Sequence, residues 1–444
     1  MAGGATLEVT IERIGAGGDG IADGPHGRLY VPATVAGDRV RVRPLARRGE
    51  GQAAELLEVV VAGPGRATPA CPHFGRCGGC SLQHLDDAAY EDWKLARVRT
   101  ALARAGIAAA EMAPLARTAP GGRRRAVFVA ERPPAGGPAR LGFNVRRGHA
   151  VVDIEACPVL APSLFALTPA LRALMGELLP PGGRSTLSAT ALAAGVDLVV
   201  GLPAPPGVAV RERLARFAEE TDLARLSWRH GEGARDITPE PVVQRRPATV
   251  RFGGVPVEPP PGGFLQASEA GERALVAAVL AATQGASPGA SPGAGQPVGL
   301  KAGRIADLFC GAGTFSLPLA MGGGAQVDAI DGDAGALAAL SRASRAVPQV
   351  RCERRDLFAQ PLTATELQPY GAVVFDPPRS GAAAQANALA ASRVPVVVAV
   401  SCNVETFARD ARTLAAGGYR LIRITIVDQF LWNPHVEVCA VFQR

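Results

Sequence analysis

From residue 304 onward, short apolar runs end one after another in a residue that can do chemistry. The run 304–307 closes on Asp307 and leads into Phe309-Cys310-Gly311-Ala312-Gly313-Thr314. Residues 326–330 close on Asp331, the segment after residue 350 reaches Asp356, residues 372–375 close on Asp376-Pro377-Pro378-Arg379, and residues 394–400 close on Ser401-Cys402-Asn403. Strand, turn and helix patterns that alternate in this way specify a doubly wound, mostly parallel sheet. Such sheets bind ligands outside the carboxyl ends of their strands, where these residues fall. One aspartate at such a place reads first as a helix N-cap. Four in succession, followed by a cysteine, point to a site.

The first turn narrows the ligand. Its glycines allow close backbone approach, and a helix N-terminus behind them offers N–H donors. Asp331 lies 18 residues beyond Gly313, where an acid can accept from a ribose diol. The spacing is Gly-x-Gly-x-x-Ser, which suits a dinucleotide poorly and favours a nucleoside cofactor without phosphates. Cys402 follows an apolar strand and precedes an amphipathic run, 407–414, that Asn403 can cap and Gly417-Gly418 can end. A thiolate is favoured at a helix N-terminus, although an isolated cysteine of this kind reads first as inert core.

Of eight cysteines, three are spaced Cys71-x5-Cys77-x2-Cys80, and Cys157 precedes Pro158. The spacing suggests metal and leaves zinc and an iron–sulfur cluster both open. Cys310, Cys352 and Cys439 have no such pattern, and packing is the default for them. No apolar run reaches the length of a membrane span, and the first residues lack a basic and apolar leader, so a cytoplasmic protein is expected.

A chain of 444 residues implies two or three domains. Residues 1–150 hold 21 Lys+Arg against 14 Asp+Glu, while the remainder is balanced at 26 of each. The whole positive excess therefore sits in the first third, and it is almost entirely arginine, since only Lys94 and Lys301 are lysines. Arginine suits phosphate and base stacking, so the asymmetry favours RNA. A single run such as Arg123-Arg124-Arg125 reads as solvated surface. Four short β-like runs before residue 62 predict a small oligonucleotide-binding-type (OB-like) barrel. A helix is expected around 89–109, strands near 126–129, 141–144 and 151–154, and a flexible low-complexity insertion over 284–297.

Asp307-Leu-Phe-Cys-Gly-Ala-Gly-Thr314, Asp376-Pro-Pro-Arg379, Ser401-Cys-Asn403 and His435-Val-Glu437 together resemble the motifs of the RNA uracil-5-methyltransferase family. The resemblance extends to the first half, toward the rRNA (RlmD/RumA-like) branch, related to the tRNA (TrmA) branch. It implies a TRAM-like barrel over 1–62, a central α+β iron–sulfur and RNA-binding domain over 63–255, and a Rossmann-like class I methyltransferase domain over 256–444. It also implies a [4Fe-4S] cluster on Cys71, Cys77, Cys80 and Cys157.

The same resemblance implies that S-adenosyl-L-methionine is held by Gln266, Phe309, Gly311, Gly313, Thr314, Asp331, Asp356 and Asp376. Cys402 would attack uracil C6, and Glu437 would remove the C5 proton after methyl transfer. A monomer acting on rRNA, with tRNA as the alternative, is expected. A radical S-adenosylmethionine enzyme and an inactive RNA-binding protein are the more distant readings. The first departs from the usual Cys-x3-Cys-x2-Cys, and the second leaves Cys402 and Glu437 without a purpose.

Overall fold

Val396–Ser401 is buried at every residue, as its unbroken valine-rich sequence requires of a central parallel strand. In the computed structural model, which describes residues 6–107, 110–231, 238–284 and 303–444, it lies inside a nine-stranded sheet. The order is Val350–Arg354, Gln326–Asp331, Arg304–Leu308, Ala372–Phe375, Val396–Ser401, Glu437–Gln443, Arg420–Asp428, Glu111–Met112, with Ala116–Arg117 also on Arg420–Asp428. The first five are mutually parallel, and Glu437–Gln443 runs antiparallel to both its neighbours. Chain order reverses between Arg304–Leu308 and Ala372–Phe375, which opens the ligand crevice there.

Helices cover both faces. One face packs Leu317, Leu319 and Leu340 with Leu275 and Val279 of the helix Glu269–Gln284. The other packs Leu389, Phe407 and Leu414 with Val98, Ala101 and Leu102 of the helix Asp87–Arg104. A helix and two short strands from far upstream thus complete the C-terminal layer. Residues 285–297, most of the low-complexity stretch, lie outside the described residues.

The N-terminal sheet has six strands in the order Leu7–Thr10, Arg39–Arg48, Gly51–Val61, Gly27–Val31, Gly20–Gly24, Arg13–Ile14. Val40 and Val42 point into its core, while Arg39, Arg41 and Arg43 alternate outward. Those three pair across the strands with Glu8, Glu58 and Glu55.

The middle region, poorly legible in sequence, forms a seven-stranded sheet from Val151–Asp153 at one edge to Glu240–Gln244 at the other. Its core joins Phe128, Leu141 and Leu198 to Leu171 and Phe217 of two covering helices. Among the described residues, no helix is long and apolar enough to cross a membrane.

Candidate active site

The register of the last two core strands brings the predicted nucleophile and base together. Ser401 pairs with Val438, so Cys402 and Glu437, one residue further on each strand, flank the same end of the ladder. Phe375 pairs with Ala399 on the other side, which sets Asp376 at that end too. Asn403 caps the helix Val404–Ala416, accepting from Glu405 N–H. Its Nδ2 donates to Arg379 O at 2.9 Å, and Thr406 Oγ1 donates to the same carbonyl at 3.2 Å. The Asp376-Pro-Pro-Arg379 turn is thereby tied to the cysteine turn, which brings the Arg379 cation near the Cys402 thiol.

Behind these groups runs a chain of carboxamides. Gln266 Nε2 donates to Asp376 Oδ2 at 3.1 Å. Gln429 Nε2 donates both to Gln266 Oε1 at 2.6 Å and to Glu437 Oε2 at 2.9 Å, and its own Oε1 accepts from Ala267 N–H at 2.9 Å. Gln266, Gln429 and Glu437 are all buried. Sequence patterning does not single out Gln429, although a buried-strand tip carrying Asp428-Gln429 falls under the same rule that marks the aspartates.

Burial pushes the Asp376 carboxyl up to about 7 and, with the Asp376 charge adding to it, holds Glu437 well above the usual carboxylate range. The Cys402 thiol is pushed up to about 11, by burial first and then by Glu437 and Asp376, with Arg379 opposing. Desolvation and the two acids thus raise the thiol of the free site, in the direction opposite to that expected of a helix N-terminus.

On the cofactor side, Gly311 (φ 55°) has open space where a Cβ would sit. Gly313 (φ 97°) instead abuts Leu340, whose Cδ1 would lie 2.5 Å from an added Cβ, so that glycine serves helix packing. Phe309 adopts φ 59°, a strained value for a bulky residue, and its ring lies 5.3 Å from that of Phe358. Thr314 is half-buried just beyond the turn. Asp331 accepts from Gly311 N–H and Asp333 N–H, each at 2.7 Å. Asp356 is exposed and accepts from Phe358 N–H and Ala359 N–H, the geometry of a cap. Asp307 is fully buried, accepts from Ser316 through one oxygen and leaves the other unpartnered; burial pushes it up to about 7.

Residues 344–444 match the family model described as tRNA (Uracil-5-)-methyltransferase. An uncharacterized RNA methyltransferase of Brucella suis biovar 1 is 43% identical over 447 residues, covering 100% of this chain and 99% of its own. The chain belongs to the RNA (uracil-5-)-methyltransferase family. Another relative, the 23S rRNA (uracil(1939)-C(5))-methyltransferase RlmD of Halomonas elongata, is 35% identical over 98% of this chain and 89% of its own. The fold matches that of the Pyrococcus abyssi tRNA (uracil-54, C5)-methyltransferase, solved with S-adenosyl-L-homocysteine, at a TM-score of 0.71 and 22% identity, covering 98% of this chain and 100% of the other. The enzyme is thus an S-adenosylmethionine-dependent RNA methyltransferase with a class I methyltransferase domain at its C-terminal end.

Elsewhere in this methyltransferase, Cys71, Cys77, Cys80 and Cys157 border one cavity of about 280 Å³, and all four are free thiols. Burial, and then the neighbouring sulfurs, push Cys80 up to about 12. Among the described residues, no three Cys, His, Asp or Glu side chains converge on a single metal ion.

The arginine run is a further correction. Arg124 is buried, donating to Gln266 O at 3.0 Å and pairing with Glu272, and Arg125 donates to Leu265 O at 2.7 Å. Burial pulls Arg123 down, while Cys80 and Cys157 oppose that shift. Arg124 and Arg125 thus brace the 264–266 segment, while Arg123 donates to Arg125 O.

Proposed function

We propose that this methyltransferase forms 5-methyluridine in RNA, in 23S rRNA ahead of tRNA, by covalent catalysis through Cys402. Uracil C5 is a weak nucleophile toward a sulfonium methyl. Addition of the Cys402 sulfur to C6 places electron density on C5, which takes the methyl group. Removal of the C5 proton by Glu437 then lets the C5–H electrons re-form the C5=C6 bond as the C6–S bond breaks, which frees the Cys402 thiolate. Glu437 must be ionised to act, and in that form its raised proton affinity makes it a stronger base than an exposed carboxylate. Arg379 steadies the thiolate, its charge opposing the burial that raises the thiol. The uridine must be unstacked to meet these groups, which favours a loop or single strand.

The observation that carries the reading is the meeting of Cys402 and Glu437 at paired strand ends beside Asp376. The rRNA preference rests on the Halomonas relative, whose name specifies 23S rRNA.

Supporting roles follow for the other sites. Gln266, Phe309, Gly311, Thr314, Asp331 and Asp376 would hold S-adenosylmethionine, with Gly313 and Asp356 shaping the loops around it. Cys71, Cys77, Cys80 and Cys157 would hold a [4Fe-4S] cluster. Four free thiols around one cavity, with the Arg123 cation beside them, suit an anionic polynuclear group. When bound, such a cluster staples the 71–80 loop to the Cys157 loop and takes no part in methyl transfer, which moves no net electrons. The N-terminal sheet would act as a TRAM-like, OB-like barrel that grips RNA; of the expected segments 1–62, 63–255 and 256–444, the central one also lends the helix Asp87–Arg104 and the strands Glu111–Met112 and Ala116–Arg117 to the C-terminal layer.

Cys402→Ala is expected to abolish methyl transfer while keeping cofactor affinity. Glu437→Gln should still methylate once, then stall as a covalent protein–RNA adduct that survives denaturing electrophoresis. Wild-type turnover by Cys402→Ala would sink the mechanism. Nucleoside mass spectrometry of rRNA and tRNA from a deletion strain decides the substrate, and loss of 5-methyluridine from tRNA alone would reverse the preference.

A further inference from the structure

In a chain whose cations are nearly all arginine, Lys94 is the exception that lies in the core. It sits one turn after Tyr90 on the helix Asp87–Arg104, and both side chains are completely buried. The ammonium donates to Asp428 Oδ1 at 2.8 Å, Asn433 O at 2.7 Å and His435 O at 2.6 Å. All three of its donors are used. Tyr90 donates its hydroxyl proton to Asp428 Oδ2 at 2.5 Å and accepts from Trp432 N–H at 2.8 Å.

Every group so held belongs to, or adjoins, the segment that starts at Gln429 and ends at Glu437. The same segment is held from the cysteine loop. Ser81 N–H and Leu82 N–H donate to Trp432 O at 2.9 and 3.1 Å, and Asn433 Nδ2 donates to Gly79 O at 3.0 Å. With both sides fixed, Gln429 and Glu437 meet at 2.9 Å.

A buried ion pair is poor value as a stabiliser, since an apolar pair of similar volume often does as well or better. Desolvation pulls the Lys94 ammonium down to about 8 even with Asp428 beside it. What an apolar pair cannot supply is three directed donors to two backbone carbonyls and a carboxylate. Arginine cannot either, because its donors lie in one rigid plane, whereas an ammonium radiates three from a point.

We propose that Lys94 is a positioning residue for methyl transfer, whose ammonium sets the course of the 429–437 segment and so aims the Glu437 carboxylate at the C5 proton. The proposal rests on Glu437 being the base. A displacement of about 1 Å at such a group costs up to about a hundredfold in rate.

The full-length enzyme is compared with Lys94→Met, Lys94→Arg, Tyr90→Phe and Glu437→Gln for melting temperature, S-adenosylmethionine affinity, kcat and KM for RNA, and adduct on denaturing gels. Lys94→Met is expected to bind cofactor normally, keep its KM, lose about tenfold to a hundredfold in kcat and accumulate adduct. Lys94→Arg should not restore turnover; full restoration would reduce the role to charge and overturn the proposal. Tyr90→Phe should give a milder version of the Lys94→Met pattern and decides the matter if that variant does not fold. Unchanged kcat, or a loss of cofactor binding and of adduct together, overturns the positioning role. Absence of adduct in Glu437→Gln overturns the base assignment itself, and Lys94 with it.

Discussion

The chemistry of the free site is set by a thiol that resists ionisation. A Cys402 pushed up to about 11 is overwhelmingly protonated at neutral pH, and only its thiolate attacks C6. Burial, Glu437 and Asp376 act in one direction and Arg379 in the other. Because the protonated form is inert, the rate of adduct formation should climb as pH rises from neutral into the alkaline range. Removing the opposing cation raises the thiol further, so Arg379→Gln should shift that limb to higher pH and slow the reaction at any fixed pH below it. The Glu437→Gln background isolates the step, because the adduct then persists and can be quantified. A limb that stays in place, or moves toward acid, would show that Arg379 does not stabilise the thiolate. The sequence displayed Cys402 and the acids but not this balance, since burial and the approach of two carboxyls are properties of packing.

At the scale of elements, the parallel strands and the motifs at their tips were legible because buried apolar runs and turn residues are local signals. The capping of Val404–Ala416 by Asn403 was equally readable, and the side chain makes that bond. What escaped was whatever depends on partners distant in sequence. Gln429 means little until Gln266 and Glu437 arrive from either side of it. The arginine run looked solvated because nothing local reveals that Leu265 and Gln266 offer it carbonyls.

The cysteine loops lie between these cases. Spacing found three of the thiols, the family resemblance added Cys157, and the fold gathers all four around one cavity. Prepared without oxygen, the enzyme should be brown and carry about four irons per chain. Alanine at Cys71, Cys77, Cys80 or Cys157 should lose the iron and lower the melting temperature. Stoichiometric zinc without iron, measured by elemental analysis, would replace the cluster by a simpler ion.

Across the whole molecule, chain order and packing order diverge, and this shapes how RNA binding is to be tested. Val35 of the N-terminal sheet region packs in one buried cluster with Leu82, Tyr90 and Leu431, and Asp19 pairs with Arg146 and Arg147. Removing the first sheet would therefore disturb the neighbourhood of Tyr90 and the 429–437 segment, so surface charges are the cleaner probe. Arg39, Arg41 and Arg43 already face glutamates, and exposed pairs of this kind leave little net field for a phosphate. Arg13, Arg28 and Arg104 make no ion pair among the described residues and border a cavity of about 460 Å³ where the sheet meets the end of the helix Asp87–Arg104. For every phosphate that is no longer neutralised, the plot of log affinity against log salt should flatten by about 0.7 to 0.9. Arg13→Gln with Arg28→Gln should thus weaken RNA binding and reduce the salt slope by about one to two, with S-adenosylmethionine affinity unaltered. The triple change at Arg39, Arg41 and Arg43 should do less, because three glutamates already neutralise them. Equal effects from the two sets, or an unmoved slope in the first, would mean that the positive excess of the first third grips RNA elsewhere.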